Sequence, residues 1–342
     1  MSSADAALAA SAARAPAGAA RAPGWRLWKT GAVAAALWAG VGGLTLGLPN
    51  IEVGFTSWSY TREFGVAALA LAALLLLAAV SGREQARPAQ ALRRAGPWFA
   101  ALAVAVGGWE LATAKLALLP SPFFAPPQSL IEVYVSDYKR LLDSLINSLW
   151  LLFNGFALGA AAGFLTGVAI GWSRGLGYWV HPVLRFLGPV PSTALLPMAF
   201  YFFPSGWSAA VFLIALATWF PVTVLTWSGV AGVNRAYYDV ARTMGASEWF
   251  LVLRVAIPAA LPQVFVGLFM GLGASFSVLV AAEMMGVKSG LGWYLSWAQG
   301  WASYANMYGA LIVMALVFSG LITLLFLGRD RLLAWQKGVV KW

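Results

Sequence analysis

Eight long runs of apolar residues, separated by shorter polar segments, dominate the pattern along this chain of 342 residues. Each run has roughly the 20 residues that an α-helix needs to cross about 30 Å of hydrocarbon. The runs lack the alternation over about 10 residues that marks a membrane β-strand. The pattern therefore predicts an all-α, polytopic membrane protein with spans near residues 31–48, 64–80, 98–118, 149–172, 183–203, 207–230, 261–285 and 307–327.

Composition supports this class and excludes several others. Hydrophobic residues make up 61% of the chain and charged residues 10%, whereas about a quarter of the residues in soluble domains are charged. The chain has no cysteine and one histidine, so we expect neither thiol chemistry nor a metal site. The net charge of +10 comes without a basic face interleaved with aromatic residues, and we expect no nucleic-acid partner.

The basic residues orient the predicted spans. If the amino terminus lies in the cytoplasm, all but five of the 22 Lys and Arg residues fall on cytoplasmic segments, as the positive-inside rule requires. The sequence thus predicts a multi-pass protein of the bacterial inner (cytoplasmic) membrane with both termini in the cytoplasm. The five exceptions are Arg62, Lys115, Lys139, Arg140 and Lys288, and Lys115 is expected to snorkel toward the interface.

Differences in composition divide the chain into three parts. Residues 1–24 are mostly Ala, Ser, Pro and Gly, which predicts a disordered cytoplasmic tail, with a cleaved signal peptide as the alternative. Residues 25–96 hold two spans and a basic, proline-containing linker, and we interpret them as an accessory hairpin. Residues 97–342 then form a core of six spans, with a polar loop at residues 231–260 on the predicted cytoplasmic side.

Glycine and proline patterns distinguish two spans of this core. The fourth span carries a glycine at every fourth position, which predicts close backbone contact with a neighbouring helix, because lipid gives helices no hydrophobic reason to associate. These residues are Gly155, Gly159, Gly163, Gly167 and Gly171. The fifth span is interrupted by prolines, which free carbonyls that must face protein or water. That segment is either a structural kink or the wall of a pathway.

The first half of loop 231–260 is patterned like a helix with a defined end. Residues 239–244 are predicted to form a short helix with Asp239 near its start, where the helix dipole favours negative charge. Gly245 follows and can adopt the left-handed conformation that terminates a helix.

The second half of the loop predicts another helix. Ser247 can cap it, with Glu248 in its first turn, and Pro258 and Pro262 are expected to end it. Two short helices on a cytoplasmic face suit contact with a soluble partner, and an amphipathic hairpin lying in the headgroups is the alternative.

This loop resembles the EAA loop of binding-protein-dependent ABC importer permeases, whose pattern is Glu-Ala-Ala, three residues, Gly, nine residues, then Ile-x-Leu-Pro. Asp239, Val240 and Ala241 occupy the triplet, Gly245 the glycine, and Val255-Ala-Ile-Pro258 the ending. The likeness extends from about residue 98 to 328. It is closest to the nitrate, taurine, sulfonate and bicarbonate permease group, on Gly108-Trp-Glu110, Leu119-Pro-Ser-Pro122, Pro189-Val-Pro-Ser-Thr-Ala-Leu-Leu-Pro197, Ala282-Glu-Met-Met-Gly286 and Ser289-Gly-Leu-Gly292.

The resemblance implies the transmembrane domain of a type I ABC importer, with a six-span core to which this chain adds two spans. It implies a transport subunit, not an enzyme, that moves a small anion into the cytoplasm. The implied partners are cytoplasmic ATPase subunits that bind ATP and Mg, a soluble or periplasmic substrate-binding protein, a second permease copy and membrane lipid. The residues implied in ATPase coupling are Asp239, Val240, Ala241, Gly245, Ala246, Ser247, Glu248 and Pro258.

No Gly-x-x-x-x-Gly-Lys-Ser/Thr phosphate loop occurs in the sequence, so we expect no cofactor and no nucleotide site in this chain. Two alternatives stay open. One is a permease for another small ligand, such as an amino acid, a phosphonate or a vitamin precursor. The other is an ion-coupled secondary transporter, which would need midplane charges or broken helices in paired halves.

Candidate pathway residues lie on the fifth and seventh spans. An acid at membrane depth such as Glu283 is costly enough to need a role, and since a bare carboxylate is a poor ligand for an anion, we favour a structural pairing or a gate hydrogen bond. Serines on the same span either line the path or pack between helices. The candidates are Ser192, Thr193, Ser275, Ser277 and Glu283.

Overall fold

The computed structural model describes residues 28–51, 58–81, 87–119 and 121–336, and these contain helices and no strands. The chain divides into two compact units between Leu118 and Leu119. The predicted tail, residues 1–24, lies outside the described residues. The third predicted span packs within the first unit, so this division falls later than the boundary at residue 97 that the sequence suggested.

The first unit is a small bundle of helices. It contains α1 (Lys29–Gly47), α2 (Thr61–Val80), α3 (Arg87–Arg94) and α4 (Gly96–Glu110), which continues as a π-helical turn, Leu111–Lys115. Small residues let α1 and α2 approach, since a Cβ added to Gly42 would overlap Leu69. The indole of Trp38 donates a hydrogen bond to the carbonyl oxygen of Phe99 over 3.1 Å, which joins α1 to α4.

Lys115 does not snorkel as the sequence suggested. Its side chain is buried, and its ammonium donates to the carbonyl oxygens of Thr45 (2.8 Å) and Leu48 (2.7 Å) and to Oδ1 of Asn50 (2.7 Å). The carboxylate of Glu110 lies 3.8 Å away. The carbonyls at the end of a helix lack intrahelical partners, so Lys115 caps α1 from a neighbouring segment.

The second unit contains nine α-helices among its described residues. They are α5 (Pro127–Ser136), α6 (Tyr138–Trp172), α7 (Arg174–Leu187), α8 (Leu196–Phe202), α9 (Gly206–Ala231), α10 (Arg235–Thr243), α11 (Glu248–Met285), α12 (Leu291–Gly300) and α13 (Tyr304–Leu332). Short 3₁₀ turns, Ser192–Leu195 and Ala334–Gln336, precede α8 and follow α13.

Six described helices are long and apolar enough to cross a membrane: α1, α2, α6, α9, α11 and α13. The predicted span 98–118 is not among them, because α4 has 15 residues before its π-helical turn. The predicted span 183–203 is not one continuous helix. There α7 and the segment Ser192–Phe202 pass the same test only together, with a bend of 84° between them.

Prolines explain this bend. Pro189 and Pro191 follow directly on the end of α7 and lack the amide hydrogens that would continue it. Gly188, just before Pro189, still has helical backbone angles (φ −55°, ψ −49°), so the chain leaves the helix only at the prolines. Pro197 is tolerated because it lies in the first turn of α8, where no intrahelical partner is lost.

The predicted glycine seam is present and faces α9. A Cβ added to Gly159 would overlap the carbonyl oxygen of Ala215, and one added to Gly163 would lie 2.8 Å from that of Trp219. Gly155, Gly167 and Gly171 have the same relation to α9, against Ile214, Thr226 and Val230 respectively. The backbones therefore touch along the second half of α6, from Gly155 to Gly171.

The other side of α9 packs on α11 in the same manner. Gly229 lies against Ala260 and Gln263, while Gly267 and Gly271 of α11 lie against Val222 and Thr218 of α9. The indole of Trp219 also donates to the hydroxyl of Thr166 on α6 over 3.2 Å. Helices α6, α9 and α11 thus form one closely packed layer with α9 in its centre.

Gly159→Ala should destabilise the second unit, because the added methyl group meets backbone with no room to move. Overpacking of this kind costs about 1–3 kcal/mol, so the thermal unfolding midpoint of the detergent-purified protein should fall. The matched control is Gly320→Ala on α13, where an added Cβ would have no neighbour within 4 Å. Equal midpoints for the two variants would show that α6 and α9 are not in backbone contact.

Candidate functional site

The polar loop between α9 and α11 begins with a helix that starts earlier than the sequence suggested. α10 runs from Arg235, and the side-chain oxygen of Asn234 accepts the amide hydrogen of Ala236 over 3.0 Å as its cap. The expectation that Asp239 lies near the helix start is therefore wrong, because this residue is in the second turn. Asn234 was the overlooked signal, since asparagine is among the preferred cap residues.

Gly245 ends α10 in the left-handed conformation that the sequence predicted, with φ of +83°. Its amide donates to the carbonyl of Arg242 over 2.9 Å, and the next amide, that of Ala246, reaches back to Ala241 over 3.1 Å. These two bonds form a Schellman motif, in which glycine is favoured because a side chain strains this φ. No atom would lie within 4 Å of a Cβ there, so the constraint is conformational.

The second helix of the loop begins as predicted. The hydroxyl of Ser247 accepts the amide hydrogen of Phe250 over 3.4 Å at the start of α11. Glu248 follows and pairs with Arg242 of α10, with 3.3 Å between carboxylate and guanidinium. Both side chains are exposed, so this ion pair contributes little to stability, and the backbone bonds around Gly245 fix the angle between the helices.

Pro258 and Pro262 do not end this helix, contrary to expectation. α11 continues without a break from Glu248 to Met285. Its second turn, Leu251–Ala256, is a π-helix, whose bonds span five residues instead of four. The π-helical turn lies directly before Pro258 and shifts the hydrogen-bond register at the point where proline lacks a donor. Packing of α11 against α9 then keeps the rest of the helix in place.

An apolar cluster packs residues 234–250, called the knob below, against the ends of the membrane helices. Leu251 and Ala256 are fully buried just after the knob. Ala256 and Ala260 form a small apolar cluster with Val230 at the end of α9, against which Trp172 packs. The knob therefore projects from the joined ends of α6, α9 and α11.

The face of α10 that points away from the spans is apolar and exposed. Tyr237, Val240 and Met244 are 62%, 61% and 84% exposed and fall on one side of the helix at 100° per residue. Trp249 at the start of α11 is 75% exposed. Large exposed apolar side chains in a group mark an interaction surface.

A cavity of about 380 Å³ lies farther along the same layer, between the bend after α7 and the middles of α9 and α11. Three of the five candidate pathway residues, Ser192, Thr193 and Ser277, line it. Ser275 does not, because it is buried and donates its hydroxyl hydrogen to the carbonyl of Leu272 over 2.9 Å. The proline-rich segment is therefore the wall of this cavity as well as a kink.

Glu283 is occupied by structural hydrogen bonds. Its carboxylate accepts the hydroxyl hydrogen of Ser148 over 2.6 Å and the amide hydrogen of Gly292 over 2.8 Å. The hydroxyl oxygen of Ser148 in turn accepts the amide hydrogen of Leu291 over 2.8 Å. Glu283 therefore caps the start of α12, where the helix dipole favours a negative charge.

A second polar cluster gave no signal in the sequence. The hydroxyl of Tyr294, which is fully buried, donates to Oδ2 of Asp137 over 2.7 Å. The amide of Asn306 donates to the same Asp137 oxygen over 3.2 Å and to the Tyr294 hydroxyl over 2.6 Å. Burial, together with the Asp137 carboxylate, raises the pKa of Tyr294 above its ordinary value. The cluster joins the starts of α6 and α13 to α12.

Comparison with known proteins identifies the family. A family model described as binding-protein-dependent transport system inner membrane component matches residues 155–336. The chain belongs to this family.

Named relatives agree with the match. A probable ABC transporter permease protein of Brucella abortus (strain 2308) is 30% identical over 236 residues, covering 69% of this chain and 93% of the relative. A protein of Bacillus subtilis (strain 168) that is named as the aliphatic sulfonates transport permease SsuC is 29% identical over 244 residues, which cover 68% of this chain and 85% of the relative. The nitrate import permease protein NrtB of Synechococcus elongatus is 27% identical over 248 residues, which cover 70% of this chain and 87% of the relative.

The predicted family is confirmed, and so is the all-α, multi-pass class: this protein is a multi-pass inner-membrane permease of the ABC type. The matched residues of the permease include the glycine seam, the cavity and the knob, and they belong to the second unit. In the described ranges no group of three His, Cys, Asp or Glu residues could hold a metal ion.

Glu283→Ala should lower the stability of the permease, because two buried donors, the Ser148 hydroxyl and the Gly292 amide, lose their acceptor. Each unsatisfied buried group costs about 1–3 kcal/mol, so thermal unfolding in detergent should begin at a clearly lower temperature. Glu132→Ala, which removes an exposed carboxylate, is the control. A Glu283→Ala protein that unfolds like this control but transports a different substrate would mean that the carboxylate serves the pathway.

Proposed function

We propose that the permease is the membrane-spanning subunit of an ATP-driven importer and that separate ATPase subunits bind the knob. The observation that carries the proposal is the exposed apolar face formed by Tyr237, Val240 and Met244 on a helix whose end is fixed by Gly245. A rigid, projecting element with an apolar face fits a groove on a soluble partner. The ATPases would bind ATP and Mg, and the permease would bind neither.

The anchoring of the knob supports a lever mechanism. The knob is joined to α9 through residues 232–234 and runs directly into α11, so a displacement of the knob is passed to the two helices that line the cavity. Closure of two ATPases would move two knobs, one from each permease copy, and switch the pathway between inward-open and outward-open states. In this arrangement the knob and both chain termini lie in the cytoplasm, and a substrate-binding protein docks on the opposite face.

We further propose that the substrate is a small anion such as nitrate, a sulfonate (taurine included) or bicarbonate. The names of the sulfonate and nitrate permease relatives support this class. The cavity is consistent with it, because its polar side chains include the hydroxyls of Ser192, Thr193 and Ser277 and its lining contains no acidic residue. Hydroxyl groups donate hydrogen bonds to an anion without the repulsion of a carboxylate.

Gly245→Val should abolish both co-purification of the cognate ATPase and ATP-dependent uptake in proteoliposomes, while leaving membrane insertion intact. A β-branched residue is strained at this positive φ, whereas asparagine adopts it more readily. Gly245→Asn is therefore the matched control and should retain the complex. Normal ATPase binding by the valine variant would contradict the lever, and uptake driven by an ion gradient without ATPase would support the rival class of carrier.

The apolar face can be tested apart from the turn. Val240→Asp with Met244→Asp places two charges on the proposed contact, where central contact residues each contribute more than about 1 kcal/mol. Retention of the ATPase on the immobilised permease should fall at least about tenfold. Ala236→Asp adds a charge to the side of the same helix and should not reduce it. Equal losses for both variants would show that charge on the loop, not the apolar face, is responsible.

The cavity provides an independent test of the pathway. Ser277→Phe should fill part of its volume and stop uptake, while ATPase co-purification remains normal, because the knob is unchanged. The control is Ser319→Phe, an equal enlargement at an exposed position of α13. If uptake by the Ser277→Phe protein is the same as that of the control, this cavity is not on the substrate path.

A further inference from the structure

The opposite face of α10 borders a polar cleft. Arg235, Tyr238, Asp239 and Arg242 recur at the spacing of one helix face, about 180° from the apolar face. They line a cleft of about 630 Å³ whose other walls are the ends of α6 and α9 and the start of α7, including Arg174. The cleft is therefore an open depression between the knob and the places where two spans end.

Two arginines of the cleft occupy electrostatically unfavourable positions. Arg174 is the first residue of α7, after its cap Ser173, and Arg235 is the first residue of α10, after its cap Asn234. A helix start carries partial positive charge, so a cation is the wrong sign there. Placing two such cations at two helix starts around one cleft costs free energy that a bound anion would offset.

The nearby acids do not neutralise these arginines. Within the described ranges, neither Arg174 nor Arg235 has a carboxylate oxygen within 4.0 Å, whereas Arg242 is paired with Glu248. Asp239 also lines the cleft. Three arginines against two acids leave a positive balance, and the two helix starts add to it.

The position of the cleft relative to the membrane indicates which anion is available to it. α6 and α9 are membrane-spanning helices, and the cleft lies directly beyond their ends at Trp172 and Ala231. Trp172 meets Tyr238 edge-on, with 5.6 Å between ring centroids, and such aromatic side chains concentrate at the level of lipid headgroups. A phospholipid headgroup supplies a phosphate group at this level.

We propose that the cleft binds a phosphate group through Arg174 and Arg235, and that the phosphate is supplied by the headgroup of an anionic lipid. Arginine holds phosphate oxygens with paired hydrogen bonds, and the two helix starts add backbone dipoles. The lipid would lie between the knob and the ends of the spans and leave the apolar face uncovered. This site does not depend on an ATPase, so it can be tested on the permease alone.

The test uses the full chain in a neutral detergent, with retention of phosphatidylglycerol and of phosphatidylcholine measured by native mass spectrometry. Wild-type protein should retain phosphatidylglycerol preferentially. Arg174→Gln with Arg235→Gln should weaken this binding roughly thirty-fold. This factor corresponds to the loss of about 1 kcal/mol of attraction to the anionic headgroup for each arginine. Arg174→Lys with Arg235→Lys keeps both charges and should restore much of it.

The matched control is Arg185→Gln with Arg331→Gln, which removes two exposed arginines away from the cleft. It should bind phosphatidylglycerol like the wild type, and all variants should show the same monodisperse elution. Equal phosphatidylglycerol binding by the two glutamine pairs overturns the proposal.

Two further arms separate the sources of the anion. Inorganic phosphate that displaces phosphatidylglycerol only from protein with Arg174 and Arg235 intact would support the phosphate site and assign it to the free ion. If the glutamine pair instead loses the cognate ATPase while its lipid binding is unchanged, the cleft receives a protein side chain and the proposal is overturned.

Discussion

Backbone contact between α6 and α9 is the constraint on which the rest of the second unit depends. In lipid there is no hydrophobic gain from bringing two apolar helices together, so dispersion contacts at close range must hold them. Five glycines in register let α6 approach the α9 backbone along five turns, and glycines 229, 267 and 271 extend the layer to α11. A layer packed this closely moves as a unit, because relative sliding would bring side chains into collision with backbone.

Both candidate functional regions take their positions from this layer. The knob connects the ends of α9 and α11 through buried Leu251 and Ala256, and the cavity lies at the middles of the same two helices, near Ser277. At the far end of α11, Glu283 fixes the start of α12. One helix thus joins the proposed motor contact, the pathway wall and a capped turn, and each is held by a different interaction.

Sequence patterns predicted the parts of this structure that depend on local chemistry. The glycine repeat, the left-handed Gly245 and the Ser247 cap each follow from the preferences of a single residue type or spacing. The sequence patterns did not predict contacts between residues that lie far apart in the chain and meet only through tertiary packing. Lys115 carries no mark that it will find three acceptors at the end of α1, and Asp137, Tyr294 and Asn306 meet only through the packing of three helices.

The prolines show the limit of local rules most clearly. Prolines end the helix after α7, where Pro189 and Pro191 are two residues apart. Within α11, however, the helix continues through Pro258 and Pro262. The difference lies in what surrounds them. A π-helical turn precedes Pro258, and Ala260, Val264 and Gly267 are buried in the layer, so packing keeps this segment helical despite the lost donors.

That continuity has a mechanical consequence. Had Pro258 ended the helix, as its sequence context suggested, a flexible joint would lie between the knob and the cavity, and a displacement at Glu248 would dissipate there. Because the helix is unbroken from Glu248 to Met285, the rise of 1.5 Å per residue puts the knob and Ser277 roughly 40 Å apart on one stiff rod. The bend after α7 faces that rod across the cavity, so rotation of the layer changes the width of the cavity while the bent segment serves as the opposite wall.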